Sequence, residues 1–199
     1  MNKQKMNLPN RLTILRIMLI PLIIIAAEIN FFNETLLFSN VTLANIIVLV
    51  IFSIASFTDF LDGHIARKRN LVTDFGKFMD PLADKLLVFS AFIILIELGR
   101  IPGWIVMVII AREFMVTGIR LLAANNNRVI FASSLGKAKT VSQMVAIIIL
   151  LLNCFPFTLI SQTFGNVVGY FFTYLALLLT VVSGLDYFIK NKDVILSNK

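Results

Sequence analysis

Six apolar runs, near residues 12–29, 41–58, 86–98, 101–111, 141–160 and 167–185, recur along the whole chain and set what it can fold into. Several reach the roughly 20 residues that a bilayer-spanning helix requires. The shorter ones become long enough when their polar ends are counted as helix protruding into the interface. The pattern predicts an all-α polytopic membrane protein with six transmembrane helices, preceded by a short interfacial N-terminal segment. With 199 residues little is left for an extramembrane part, so residues 1–199 are expected to form one membrane domain with short loops. A hydrophobic fraction of 58% and a mean hydropathy of +0.90 exclude an ordinary soluble domain.

The first run is too long for the apolar core of a signal peptide and no small-residue cleavage site follows it, so it is read as a retained span. Cys154 is the only cysteine, which excludes an intrachain disulfide and a thiolate metal site. It is expected to act as a small apolar residue within a helix.

The +7 net charge informs through its distribution. Basic residues cluster at the N-terminus (Lys3, Lys5, Arg11, Arg16), around the second connection (Arg67, Lys68, Arg69, Lys77, Lys85), around the fourth (Arg120, Arg128, Lys137, Lys139) and in the tail. The opposite loops, near 30–40, 98–102 and 154–165, hold one basic residue, Arg100. Six spans with both termini on the cytoplasmic side satisfy the positive-inside rule. Such clusters at helix ends suit anionic lipid and phosphate better than nucleic acid.

Along the chain, Pro9 precedes a helix start, and Arg11 and Arg16 alternate with Leu and Ile as in an interfacial stretch. Pro21 is expected to kink the first span. Residues 30–40 read as an outer loop. The second span should continue past the membrane edge to Arg69, the third should run over about 75–97, and Pro102-Gly103-Trp104 should open the fourth with an aromatic anchor. The fifth begins near 134 and the sixth covers about 163–189. No internal repeat is present.

Four of only eleven acidic residues fall in two short stretches at the ends of apolar segments: Asp59 and Asp62, then Asp80 and Asp84. Carboxylates beside lipid are costly and therefore functional candidates. On helices, Asp59, Asp62 and Ala66 share one face, and Gly76, Asp80 and Asp84 share another. If the second and third spans pack as an antiparallel hairpin, the four carboxylates converge at one mouth. Hard oxygen ligands of this kind suit Mg²⁺ or Mn²⁺, and a solitary His64 argues against a dedicated zinc site. Two such ions about 4 Å apart would clamp both oxygens of a phosphoryl displacement. Gly63, Ala66 and Gly76 would let a base or pyrophosphate approach the backbone, and Arg67 offers a rigid donor fork for phosphate. The alternative is that these acids simply pair with Arg67, Lys77 and Lys85 at the surface. Four acids at these spacings, with glycines interleaved, favour the metal reading.

The pattern D-x2-D-G-x2-A-R-x8-G-x3-D-x3-D over Asp59–Asp84 resembles the signature of the CDP-alcohol phosphatidyltransferases, matched at every defined position. The resemblance implies a six-helix, usually dimeric, protein that transfers a phosphatidyl group from CDP-diacylglycerol to an alcohol and releases CMP. It further implies that Asp59, Asp62 and Asp80 hold the divalent ions, and that Asp84 completes the site and serves as general base. It places Gly63, Arg67 and Thr73 against the CDP moiety, with Asn10 and Thr13 joining from the first helix. The localisation expected is a bacterial cell membrane, with both termini and the active site cytoplasmic.

Residues Leu8–Arg16, Asp80–Lys85, Ala111–Glu113 with Thr117–Arg120, and Gly136–Thr140 with Gln143 resemble in particular the family members whose acceptor is sn-glycerol 3-phosphate. The likeness covers most of the first 145 residues; beyond it only hydrophobicity is legible. A phosphorylated acceptor needs cations, and Arg112, Arg120, Lys137 and Lys139 are the candidates. Arg112 lies deep in the fourth span, where its charge must either meet a ligand or pair with Glu113 or another helix. Lys137 and Lys139 also fit ordinary positive-inside charge. An inositol phosphate acceptor would demand cations too, so charge alone does not separate the two. His64 reads as solvated, the Tyr170/Tyr174 stretch as lipid-facing or packing surface, and Asp186 as a helix-end cap or a partner for a tail lysine.

Three rival readings fit the sequence less well. A divalent-cation transporter would carry its acids near the midplane, in repeat-related broken helices. An intramembrane prenyltransferase would need more helices and lacks the Gly-x2-Ala-Arg element. A scaffold would not need four converging acids.

Overall fold

The computed structural model describes residues 8–38, 40–69, 74–125, 130 and 133–193, with the side chains at 8–9, 59–69, 74–78 and 125 outside that description. Seven α-helices follow one another among the described residues: α1 (Leu8–Glu28), α2 (Asn30–Glu34), α3 (Leu43–Arg69), α4 (Asp74–Glu97), α5 (Gly103–Asn125), α6 (Ser134–Leu151) and α7 (Gln162–Lys190). Three of these contain stretches long and apolar enough to cross a membrane, Asn10–Glu28, Ser134–Leu151 and Gln162–Lys190. Helices are what a lipid-facing chain must form, because only they satisfy every backbone N–H and C=O within the segment.

The helices begin and end close to the expected boundaries, with three corrections. Residues 30–40 are not a plain loop: they hold α2 and, with Val41–Thr42, a small antiparallel ribbon of β1 (Leu36–Phe38) and β2 (Val41–Thr42). Within the apolar run 141–160, α6 stops at Leu151, shortly before the loop expected near 154–165. Cys154 therefore sits in a turn rather than in a helix. The turn carries Asn153 and Cys154 at φ of 52° and 59°, followed by Pro156, whose nitrogen has no hydrogen to donate. Leu8–Arg11 already belong to α1, which runs unbroken through Pro21.

The chain divides into two compact units, residues 1–94 and 95–199. In the first, α1 packs on α3. The inward residues of α1 include Asn10, Thr13, Arg16, Ile23 and Ala26, while Leu15, Met18, Leu22, Ile24 and Ile25 are exposed. This inverts a soluble helix: the polar groups turn in and the large apolar groups turn out. Arg16 is thus buried rather than interfacial, at 1% exposure. From α3 come Ala44, Val48, Phe52 and Ala55, at the helical spacing that makes one stripe.

In the second unit α7 packs on both α5 and α6. The buried residues of α7 are Gly165, Gly169, Thr173, Ala176, Thr180, Ser183, Gly184 and Tyr187, small in every case but the last. Without a hydrophobic drive between helices in lipid, close packing of small residues is what brings backbones together. A Cβ on Gly165 would collide with Thr158 Cγ2, and one on Gly169 would lie 2.8 Å from Cys154 Sγ. Val167, Tyr170, Phe171, Tyr174 and Leu178 are exposed on the other side, as expected for lipid-facing groups. From α5, Ile105, Ile109, Arg112, Val116, Ile119 and Ala123 form the buried seam, at alternating spacings of four and three. Arg112 is therefore set inside an apolar stripe.

Two ends are finished by side chains. Ser161 accepts a hydrogen bond from the backbone N–H of Phe164 at 3.0 Å and caps α7. Arg100 donates to the carbonyls of Leu150 (2.6 Å) and Leu151 (2.9 Å), so the lone basic residue of the sparse loops closes the C-terminus of α6.

Candidate active site

The first group of functional side chains lies where α1 meets α4. Asp80 and Asp84 are one turn apart on α4 and so project to the same side of the helix. Pro81, directly after Asp80, has no N–H to return to the backbone carbonyl four residues earlier, which loosens the helix bonding at this point. The hydroxyl of Thr13, itself fully buried, donates to Oδ1 of Asp80 in a short hydrogen bond. The structure thus joins a residue expected at the nucleotide to one expected at the metal. Asn10, 8% exposed, lies one turn before Thr13 on α1.

Helix α3 continues unbroken to Arg69, so Asp59, Asp62, Gly63, Ala66 and Arg67 are all helical, as Gly76 is in α4. Their side chains, and Thr73 altogether, lie outside the described residues. The expected meeting of four carboxylates falls there too. Among the described residues no group of three metal-ligating side chains occurs. The donor set itself fits a hard cation: carboxylate oxygens, one of them already oriented by a hydroxyl donor that fixes its remaining lone pairs.

The second group lies in α5–α7. Arg112 donates from Nη1 to Glu113 Oε1 at 3.0 Å and from Nη2 to Ser183 Oγ at 3.0 Å. Lys139 of α6 donates to the same Glu113 oxygen at 2.5 Å. Side-chain exposures of 9% for Arg112, 13% for Glu113 and 6% for Lys139 make this a buried cluster. Removing two cations and an anion from water is tolerable only because each is paired. Beside it, Gln143 Nε2 donates to Thr180 Oγ1 at 2.9 Å, and Thr180 Oγ1 donates on to the carbonyl of Ala176.

Of the four expected phosphate-binding cations, the structure brings Arg112 and Lys139 together. The pairing of Arg112 with Glu113, one of the two readings open from the sequence, is present. Arg120 donates from Nε to Tyr187 Oη at 3.2 Å and stacks over that ring at 5.6 Å. Lys137 is exposed at the start of α6. Asp186 pairs with Lys190 at 2.7 Å, as expected for a tail lysine.

Sequence reasoning missed Ser183 and Tyr187 as partners, and the sharing of Glu113 between two cations. A signal existed: small residues recur at helical spacing from Gly165 to Gly184, which marks the face of α7 that neighbours must approach.

The family description "CDP-alcohol phosphatidyltransferase" matches residues 6–182 of the sequence. The chain belongs to this family. A Bacillus subtilis protein named CDP-diacylglycerol–glycerol-3-phosphate 3-phosphatidyltransferase is 46% identical over 191 residues, which cover 95% of this chain and 97% of the relative. A Rickettsia felis protein of the same name is 42% identical over 92% of this chain and 93% of its own length. A Mycobacterium tuberculosis protein named as a probable phosphatidylglycerophosphate synthase is 38% identical over 91% of this chain and 79% of its own length.

Proposed function

We propose that this chain transfers the phosphatidyl group of CDP-diacylglycerol to sn-glycerol 3-phosphate, giving phosphatidylglycerophosphate and CMP. The observation that carries the reading is the likeness, over 95% of the chain, to a relative named for that reaction. Two features support it: the aspartate pattern on α3 and α4, and two cations buried within the α5–α7 bundle, where a phosphorylated acceptor has a use for them and a neutral alcohol has none.

In this reading Asp59, Asp62, Asp80 and Asp84 hold Mg²⁺ or Mn²⁺, with two ions expected. Such cations supply charge neutralisation of the pyrophosphate and of the departing CMP. Thr13 keeps Asp80 turned correctly. Asp84 takes the proton of the acceptor hydroxyl as that oxygen bonds to the phosphorus bearing diacylglycerol. The bond from that phosphorus to the CMP oxygen breaks and the electron pair leaves with CMP. Asn10, Gly63, Ala66, Arg67, Thr73 and Gly76 receive the CDP moiety, and Arg112, Arg120, Lys137 and Lys139 attract the acceptor phosphate.

The same proposal has α1 and α3–α7 as six spans of one membrane domain, in a bacterial cell membrane with both termini and the site cytoplasmic, and the protein a homodimer. The test is CMP release by purified protein with CDP-diacylglycerol and Mg²⁺ or Mn²⁺, comparing glycerol 3-phosphate, inositol phosphate, glycerol and serine. Turnover with glycerol 3-phosphate, lost in EDTA and restored by either metal, is the expected result. Turnover with another acceptor alone would overturn the substrate assignment, and metal-independent turnover would overturn the carboxylate roles.

A further inference from the structure

Arg112, Glu113 and Lys139 carry two positive charges and one negative, a sum of +1 within the second unit's helices. Net charge inside a span is costly and marks a place built for a counter-ion. How well such a site reads a phosphate depends on where the guanidinium plane points, and that is set by α7. Nη2 of Arg112 rests on Ser183 Oγ at 3.0 Å. The Ser183 hydroxyl hydrogen is already committed to the carbonyl of Thr180 at 3.1 Å, so the oxygen turns lone pairs, not a hydrogen, toward the arginine. The next residue is Gly184, where a Cβ would lie 2.9 Å from Arg112 Cγ and 3.7 Å from its Nε. The arginine stem therefore crosses α7 over a residue that has no side chain.

We propose that the adjacent pair Ser183 and Gly184 on α7 is a positioning element that fixes the guanidinium of Arg112 for the acceptor phosphate and so sets affinity for the acceptor. The hydroxyl holds one end of the fork, Glu113 holds the other, and Gly184 leaves the passage through which the stem reaches both. Neither α7 residue touches substrate; both act through Arg112. The proposal rests on the assignment of a phosphorylated acceptor to these cations.

The test is steady-state kinetics of the purified full-length protein, varying glycerol 3-phosphate and CDP-diacylglycerol in turn. Ser183→Ala should raise KM for glycerol 3-phosphate about tenfold or more, the loss of one hydrogen bond to a charged group, with kcat and KM for CDP-diacylglycerol within about twofold of wild type. Ser183→Thr, which keeps the hydroxyl, should return KM to within about twofold of wild type. Gly184→Ala should raise the same KM about tenfold or more, because the added methyl must displace the stem. In an Arg112→Gln background, Ser183→Ala should add nothing. A wild type that turns over with glycerol 3-phosphate, but whose Ser183→Ala variant keeps its KM or loses kcat and both KM values together, overturns the positioning role and leaves the assigned reaction intact. A wild type that uses only neutral alcohols overturns the assigned reaction, and this inference with it.

Discussion

The carboxylates of α4 and the cations of α5–α7 both hold charge beside apolar helix, and they are built in opposite ways. Asp80 and Asp84 lie one turn apart on α4, so that helix presents both by its own geometry, and a long-range bond from Thr13 orients Asp80. The cation cluster has no such local scaffold. Arg112 and Glu113 are neighbours on α5, but the partners that complete them stand 26 residues away on α6 and 71 residues away on α7. A carboxylate pair survives as long as its helix does; the cation cluster exists only when three helices are packed.

Asp84→Asn should lower kcat by about 10²–10⁴, the worth of a general base, with unfolding temperature unchanged. A comparable fall in stability would show that the carboxylates too depend on packing. Glu113→Gln should do the reverse. It leaves two buried cations without their shared anion and should cost about 3–5 kcal/mol in stability, read by thermal unfolding in detergent. If it unfolds like wild type, the cluster is not buried and the contrast fails. Thr13→Val keeps shape but removes the donor to Asp80, and should raise the metal concentration for half-maximal activity about 10–100-fold. A Mg²⁺ titration checks this, and an unmoved midpoint would detach Thr13 from the metal. Asp186→Asn removes only the half-exposed pair with Lys190 and should change stability by less than about 1 kcal/mol.

The same contrast explains what was legible beforehand. The six long helices were visible because an apolar run has one solution in lipid, and the aspartate pattern was visible because its members lie within 26 residues, Asp59 to Asp84. The loop near 154–165 was legible, but its start just after Leu151 was blurred, since Asn153 and Pro156 are weak signals inside a continuous apolar run. The ribbon of β1 and β2 was hidden because five residues decide it. Arg16 was misread since a cation near a chain end resembles interfacial charge, and only packing shows it to be buried. Ser183 was invisible for another reason: a serine in a greasy helix is unremarkable until the arginine from α5 arrives at it.

Cys154 in the α6–α7 turn outside the spans is buried with its Sγ against Gly169, and burial pushes the thiol up from its ordinary range while the Arg100 guanidinium pulls it back. The sequence contains no second cysteine. The protein accordingly carries its own single-site reporter: a thiol-reactive dye can bind only when this turn opens. Its labelling rate reads the breathing of the α6–α7 hairpin with no engineered label, and loss of the Arg100 cap on α6 should quicken it.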